Sequence, residues 1–244
     1  MTALLQIEGV GKRFGGFMAL DGIDLAIAQG ERVGLIGPNG SGKSTLVNCI
    51  CGALHNETGV VRFDGESLNG MQAHQRTHRG LARSFQLPRP FATMSVADNL
   101  RIPLLYAVHN RRGRHLTAAE ADRRCIELAR SVGLGDKCDQ PPASLTQVEM
   151  RKLELARAMA ADPKLLIADE SMAGLSDSEV GDIVDLLLRL NAEGVTIIMI
   201  EHIMKAVMTF SQRLVVLVSG KKIADGAPDD VLRNPEVERA YLGQ

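Results

Sequence analysis

Nine consecutive residues near the start of the chain constrain its fold more than any other stretch: Gly37-Pro38-Asn39-Gly40-Ser41-Gly42-Lys43-Ser44-Thr45. They satisfy the pattern Gly-x4-Gly-Lys-Ser/Thr, a phosphate-binding loop whose physics needs a strand before it and a helix after it. Both are legible. Residues 31–36 read as a short buried strand, and residues 44–50 as the helix. Gly37, Gly40 and Gly42 let the backbone curl so that successive N–H groups point at one anion. The helix N-terminus adds partial positive charge at the same spot. Lys43 supplies a full charge for the outer phosphates, and Ser44 a hydroxyl for Mg²⁺. A bound nucleoside triphosphate is the first expectation, but many unrelated machines share this loop.

The 244 residues suit one large domain or a domain with an inserted subdomain. A net charge of −1 argues against an electrostatic grip on nucleic acid. No apolar run approaches the roughly 20 residues that span a bilayer, and no signal peptide is visible. Cys49, Cys51, Cys125 and Cys138 show no disulfide or zinc spacing, so a reducing cytoplasm is the simplest setting. His74 and His78 are four apart on an expected helix, without a third ligand.

Along the chain, residues 4–10 and 18–28 read as strands, then residues 60–63 before an Asp64-Gly65 turn. A helix is expected near 71–79, and a strand from Leu81 that ends at Gln86. Pro88 and Pro90 then break regular structure. Residues 95–107, 117–132 and 148–160 read as helices, the second opened by the capping box Thr117-Ala118-Ala119-Glu120. The basic stretch at 111–115 between them reads as a solvated loop. Strand and helix alternate again from Leu165: a buried strand ending in Asp169-Glu170, an amphipathic helix over 177–192, a strand over 195–200 and a hairpin turning at Gly220. The expected class is α/β: a parallel-sheet nucleotide-binding core over 1–86 and 163–244, antiparallel hairpins at its start, and a helical insert over 87–162.

Asp169 and Glu170 end a buried strand, and in parallel sheets the ligand crevice lies beyond the carboxyl ends of the strands. Asp169 would hold Mg²⁺, directly or through water. Glu170, one residue further, would stand near the γ-phosphate and orient or deprotonate a water.

With these residues in view, the chain resembles the nucleotide-binding subunit of ATP-binding cassette (ABC) transporters over nearly its whole length. Within that family it is similar to the branched-chain (hydrophobic) amino acid importer branch. The resemblance is carried by Lys12-Arg13-Phe14-Gly15-Gly16, residues 34–45, Ser84-Phe85-Gln86-Leu87-Pro88-Arg89-Pro90-Phe91, Leu153-Glu154-Leu155-Ala156-Arg157-Ala158, Met172-Ala173-Gly174-Leu175, Ile200-Glu201-His202-Ile203-Met204 and the closing stretch 220–243. It implies that Phe14 stacks on adenine, that Gln86 contacts Mg²⁺ or its water and senses the membrane partner, and that His202 bonds the γ-phosphate. It further implies an ATPase at the cytoplasmic face of the membrane, docked on permease subunits and paired with a second ATP-binding subunit. A separate solute-binding protein would deliver the cargo.

The match fails at one motif. The family's Leu-Ser-Gly-Gly-Gln signature, which closes on the ATP of the opposite subunit, is Leu145-Thr146-Gln147-Val148-Glu149 here. Thr146 keeps a hydroxyl, but both glycines are gone and a carboxylate replaces the amide. Either Glu149 faces the nucleotide with the wrong charge, or it points away and complements the helix dipole. Ser171 and Ser176 also stand where the family usually has proline and aspartate. Two other classes compete with a transporter subunit. A soluble ABC ATPase of DNA repair or translation usually carries two cassettes or large inserts, which this chain lacks. A P-loop small-molecule kinase would not account for Gln86, the helix near 148 and His202 together.

Overall fold

The computed structural model describes residues 3–85, 88–109 and 115–242. Two sheets share the chain. The first is antiparallel, in the order β2-β1-β4-β5. Its long strands β1 (Ala3–Phe14) and β2 (Phe17–Ala28) form a hairpin with Phe14 opposite Phe17, and β4 (Thr58–Phe63) and β5 (Glu66–Ser67) extend it. The second sheet runs β10-β9-β3-β8-β7-β6. In it β3 (Arg32–Ile36), β6 (Leu81–Ser84), β7 (Leu165–Asp169), β8 (Thr196–Ile200) and β9 (Arg213–Val218) are parallel, and β10 (Lys221–Gly226) pairs antiparallel with β9.

Both faces of the parallel sheet are covered, so its strands are continuous apolar runs rather than alternating ones. In β7, Leu165 and Ile167 join the core shared with the first sheet and helix α1 (Lys43–Cys51). Leu166 and Ala168, on the other face, join a core built with α3 (Val96–Leu104), α4 (Ala118–Ser131), α5 (Gln147–Ala160) and α6 (Asp177–Ala192). The buried guanidinium of Arg76, on α2 (Ala73–His78), donates to the carbonyls of Cys49 and Ile50 at 2.6 and 2.8 Å. It thereby satisfies the last turn of α1, where orphan carbonyls need donors.

Several boundaries differ from the sequence expectation. β1 runs on to Phe14 instead of ending at residue 10, because its partner β2 supplies a ladder up to the turn. The helix expected over 95–107 is α-helical only to Leu104 and widens into a π-turn over Leu105–His109. Pro103 lacks the N–H that would bond back one turn, which loosens the helix there. Thr117 caps α4 with Glu120 as its sequence foretold. The short helices α7 (Met204–Phe210), α8 (Pro228–Leu232) and α9 (Pro235–Leu242) had no legible period, since a helix of one or two turns presents too few positions.

The sheet order decides where chemistry can occur. β8 lies between β3 and β7, so the segments leaving the carboxyl ends of β3, β8, β7 and β6 stand side by side along one rim.

Candidate active site

The phosphate-loop residues 37–45 leave β3 and enter α1 in the strand–loop–helix order required. Gly42 caps the helix in a left-handed conformation that supplies no side-chain acceptor, so the first N–H groups of α1 keep their donors for a ligand. Side chains are excluded by close backbone contact. A Cβ on Gly37 would lie 2.1 Å from the Leu217 carbonyl oxygen, and one on Gly42 would lie 2.7 Å from that of Ala19. The loop is braced by Ser41, whose carbonyl accepts from Gly220 N at 3.0 Å. Lys43 Nζ folds over the loop and donates to the carbonyls of Gly37 (2.6 Å) and Pro38 (3.1 Å). Burial lowers the Lys43 pKa, while Glu170 and Asp169 nearby favour its charged form.

The second motif stands beside the first. A cavity of about 510 Å³ is lined by Ser44, Asp169 and Glu170 together with Arg83, Phe85 and Glu154. Asp169 is buried at the end of β7. Glu170 follows with φ of 46°, a left-handed conformation rare outside glycine, and its N–H donates to Ile200 O on the neighbouring strand at 2.9 Å. Such strain collects at sites where the surroundings enforce a side-chain direction.

Arg83 is a site residue that the sequence reading passed over. From β6 it donates to Asp169 Oδ2 through Nη2 (2.5 Å) and Nε (3.2 Å), and to Asn48 Oδ1 on α1 at 2.7 Å. The signal was available: a charged residue inside a four-residue buried strand must have a partner. Glu154 on α5 is likewise buried. Burial raises its pKa against Arg157, 2.9 Å away, and the backbone N–H of Phe85.

The remaining expected residues fall as follows. Phe14 is half exposed at the tip of the first hairpin, with Lys12 Nζ 5.5 Å from its ring centre. Ala19, five residues on, touches the phosphate loop. Gln86 lies outside the described residues, as does the basic stretch 111–114. His202 leaves β8 between the two motifs, its side chain 69% exposed, and does not line the cavity. Leu145, Thr146, Gln147, Val148 and Glu149 form the start of α5 and also stand off the cavity. The Glu149 side chain turns back onto its own chain. Its carboxylate closes a capping box with Thr146 and pairs with Lys137 Nζ at 2.7 Å, so its charge is spent inside the chain.

These residues fit a Mg²⁺-nucleotide. A Cβ at Gly37 or Gly42 would collide with neighbouring backbone, and the buried Ser41 hydroxyl makes no hydrogen bond. Among the described residues no cluster of His, Cys, Asp or Glu could hold a metal alone. Mg²⁺ normally takes most of its ligands from phosphate and water, with one or two from protein. Ser44 and the Asp169 carboxylate beside the cradle are of that kind.

The model of the ABC transporter family matches residues 20–173. The chain belongs to the ABC transporter family. A second model, for the branched-chain amino acid ATP-binding cassette transporter, matches residues 221–244 of this cassette. The cassette is 35% identical to the high-affinity branched-chain amino acid transport ATP-binding protein BraF of Pseudomonas aeruginosa, and equally to LivG of Escherichia coli K12. Each alignment covers 99% of this chain and 98% of the relative. Among solved structures, the ADP conformation of the ATP-binding cassette MJ1267 superposes with a TM-score of 0.88 at 30% identity, covering all of both chains. The protein is thus an ABC ATP-binding subunit homologous to branched-chain amino acid importer ATPases, with the ABC ATPase fold. No described helix is long and apolar enough to cross a membrane.

Proposed function

We propose that this chain is the ATP-hydrolysing subunit of a membrane importer for branched-chain or other hydrophobic amino acids or related small carboxylates. It would sit at the cytoplasmic face of the membrane, bound to permease subunits and paired head-to-tail with a second ATP-binding subunit. The observation that carries the reading is the convergence of residues 37–45, Asp169-Glu170 and His202 on the adjacent strand ends of β3, β7 and β8.

The residues divide the work. Phe14 offers a face for the adenine ring. The N–H groups of residues 37–45 and the Lys43 ammonium hold the phosphates and the charge that develops as the β–γ bridging P–O bond breaks. Ser44, Asp169 and Gln86 would hold Mg²⁺, which when bound neutralises phosphate charge. Glu170 accepts a proton from the water that attacks the γ-phosphorus, and His202 contacts a γ-phosphate oxygen. Residues 145–149 act on the partner's ATP.

Residues 87–162 form the permease-facing subdomain in this reading. Between its α5 and the core lies a groove of about 280 Å³, bordered by Ala73, Leu81, Phe85, Pro103 and Ala158. Phe85, Ile102 and Tyr106 expose apolar surface on and beside that groove. A helix of the permease laid into it would contact Phe85, the residue before Gln86, and so link transport to the nucleotide site. Purification of the chain from native membranes tests the assembly: permease subunits and a second cassette should come with it. Recovery of the chain alone, or on nucleic acid, would refute the assembly.

A further inference from the structure

Glu201 is an acid with no evident business where it stands. It follows β8 directly, and its side chain is fully buried. Removing a carboxylate from water is costly unless partners repay it. One oxygen is firmly repaid: Oε1 accepts from Met172 N at 2.9 Å, and the backbone N–H of His202 also bears on the carboxylate. Oε2 is buried and makes no hydrogen bond. The His202 ring lies beside it, with Nδ1 3.9 Å from Oε2. That imidazole is mostly exposed and has room to turn. With Nδ1 brought to Oε2, Nε2 on the far side of the ring is directed away from the buried carboxylate.

Met172 opens the segment 172–176 that leads from Glu170 to α6. Its next residue, Ala173, accepts from Arg151 Nη2 at 3.1 Å, and a Cβ on Gly174 would meet the Gln147 amide at 2.7 Å. Gln147 belongs to the altered signature and Arg151 to the next turn of α5. One buried carboxylate therefore joins His202 to a segment that packs on residues 147–151.

We propose that Glu201 is a positioning residue for His202: its Oε2 takes the Nδ1 side of the imidazole while Oε1 anchors Met172, fixing the ring's direction relative to segment 172–176. This rests on His202 being the γ-phosphate partner. Burial pushes the Glu201 carboxyl above its usual range, against Met172 N–H and the nearby imidazole, and Glu170 adds to the rise. Removing the charge should therefore not weaken the fold.

The test compares Glu201→Gln, His202→Ala and the double variant. Steady-state ATPase is measured on the assembled transporter. MgATP affinity, melting temperature and amide exchange at Met172 are measured on the full chain. Glutamine keeps an oxygen for Met172 N but puts an amide donor toward His202. Glu201→Gln should lower kcat by about 10-fold or more, the scale on which partners that orient metal-bound imidazoles act. MgATP affinity and Met172 protection should be retained, and the melting temperature should not fall. The double variant should be no slower than His202→Ala alone. If Glu201→Gln slows the His202→Ala background by the same factor as the parent, or lowers the melting temperature together with Met172 protection, Glu201 does not act through His202 and the proposal is overturned. Normal turnover by His202→Ala would instead remove the underlying reading of the histidine.

Discussion

Lys137 and Glu149 form an ion pair at 2.7 Å that turns the one carboxylate of the signature stretch into its own helix. The same carboxylate accepts from Thr146 N at 2.8 Å, and Thr146 Oγ1 accepts from Glu149 N in return. The residue that looked like a wrong-sign charge is an N-terminal lock for α5. The Lys137 contact, then the Thr146 N–H, hold its carboxyl below the usual range.

Glu149→Ala should therefore destabilise the chain by about 1 kcal/mol in all, from the lost capping-box contact and the partly exposed ion pair. A carboxyl whose pKa is depressed on folding adds stability that is fully present above its unfolded pKa, about 4.3. That stability is lost as pH falls through the lower folded value. Urea unfolding of parent and variant should thus differ at pH 7 and converge in acid. A gap that persists unchanged at pH 3 would contradict the pairing.

Arg83 should matter to the fold before it matters to chemistry. Arg83→Leu leaves the mostly buried Asp169 carboxylate without its cation, a loss of about 3 kcal/mol by analogy with other broken buried pairs. Adding Asp169→Asn removes the stranded charge and should recover much of that stability. Denaturant unfolding of the two variants checks this, and full additivity of the losses would mean the pair is not energetically joined.

The division between binding and hydrolysis makes two variants diverge. Lys43→Ala removes a charge from a partly desolvated phosphate site and should weaken MgATP binding, read by calorimetry. Glu170→Gln should keep MgATP bound while turnover falls by roughly 10²-fold or more. Equal affinity for Lys43→Ala and the parent would move the phosphate site elsewhere. Near-normal turnover of Glu170→Gln would do the same for the base.

The altered signature predicts asymmetry between paired cassettes. Gln147 and Val148 replace the glycines that permit close approach to phosphate, so the site they close should be the slow one. If the partner is a different cassette with an unaltered signature, the composite site containing Glu170 and His202 should be the fast one; in a homodimer both sites carry the change and ATPase should be weak. Changing Glu170, then the equivalent glutamate of the partner, in the purified transporter separates the two. Loss of nearly all turnover only when the partner is changed would reverse the assignment.

Glu201 gives a stability signature of opposite sign to Glu149. Its pKa is raised on folding, so its contribution is greatest below the unfolded carboxylate pKa and declines as pH rises through the folded value. Glu201→Gln should raise the melting temperature relative to the parent at pH 8, and by less at pH 5. An equal difference at both pH values would show that the carboxylate does not titrate abnormally.

The sequence by itself determined the frame and the ligand class. The loop at 37–45 demands a strand before it and a helix after it, and Asp169-Glu170 ends an apolar run that is legible because every residue of that strand is buried. Helices α4 and α6 were readable because they are long enough to show a period and, in α4, carry a capping box. What only tertiary structure decided are relationships between residues far apart in the chain. Strand order puts β8 between β3 and β7, so His202 stands between two motifs that are over a hundred residues apart. Arg83 meets Asp169 across 86 positions, and Glu201 meets Met172 across 29. No local pattern encodes these pairs, because a side chain's partner is set by which strands lie adjacent and which way each alternating residue faces. Glu149 is the mixed case: the Thr146-x-x-Glu149 capping box that turns its carboxylate back is a local pattern, while the Lys137 contact that completes the pairing is set by the packing of the preceding segment.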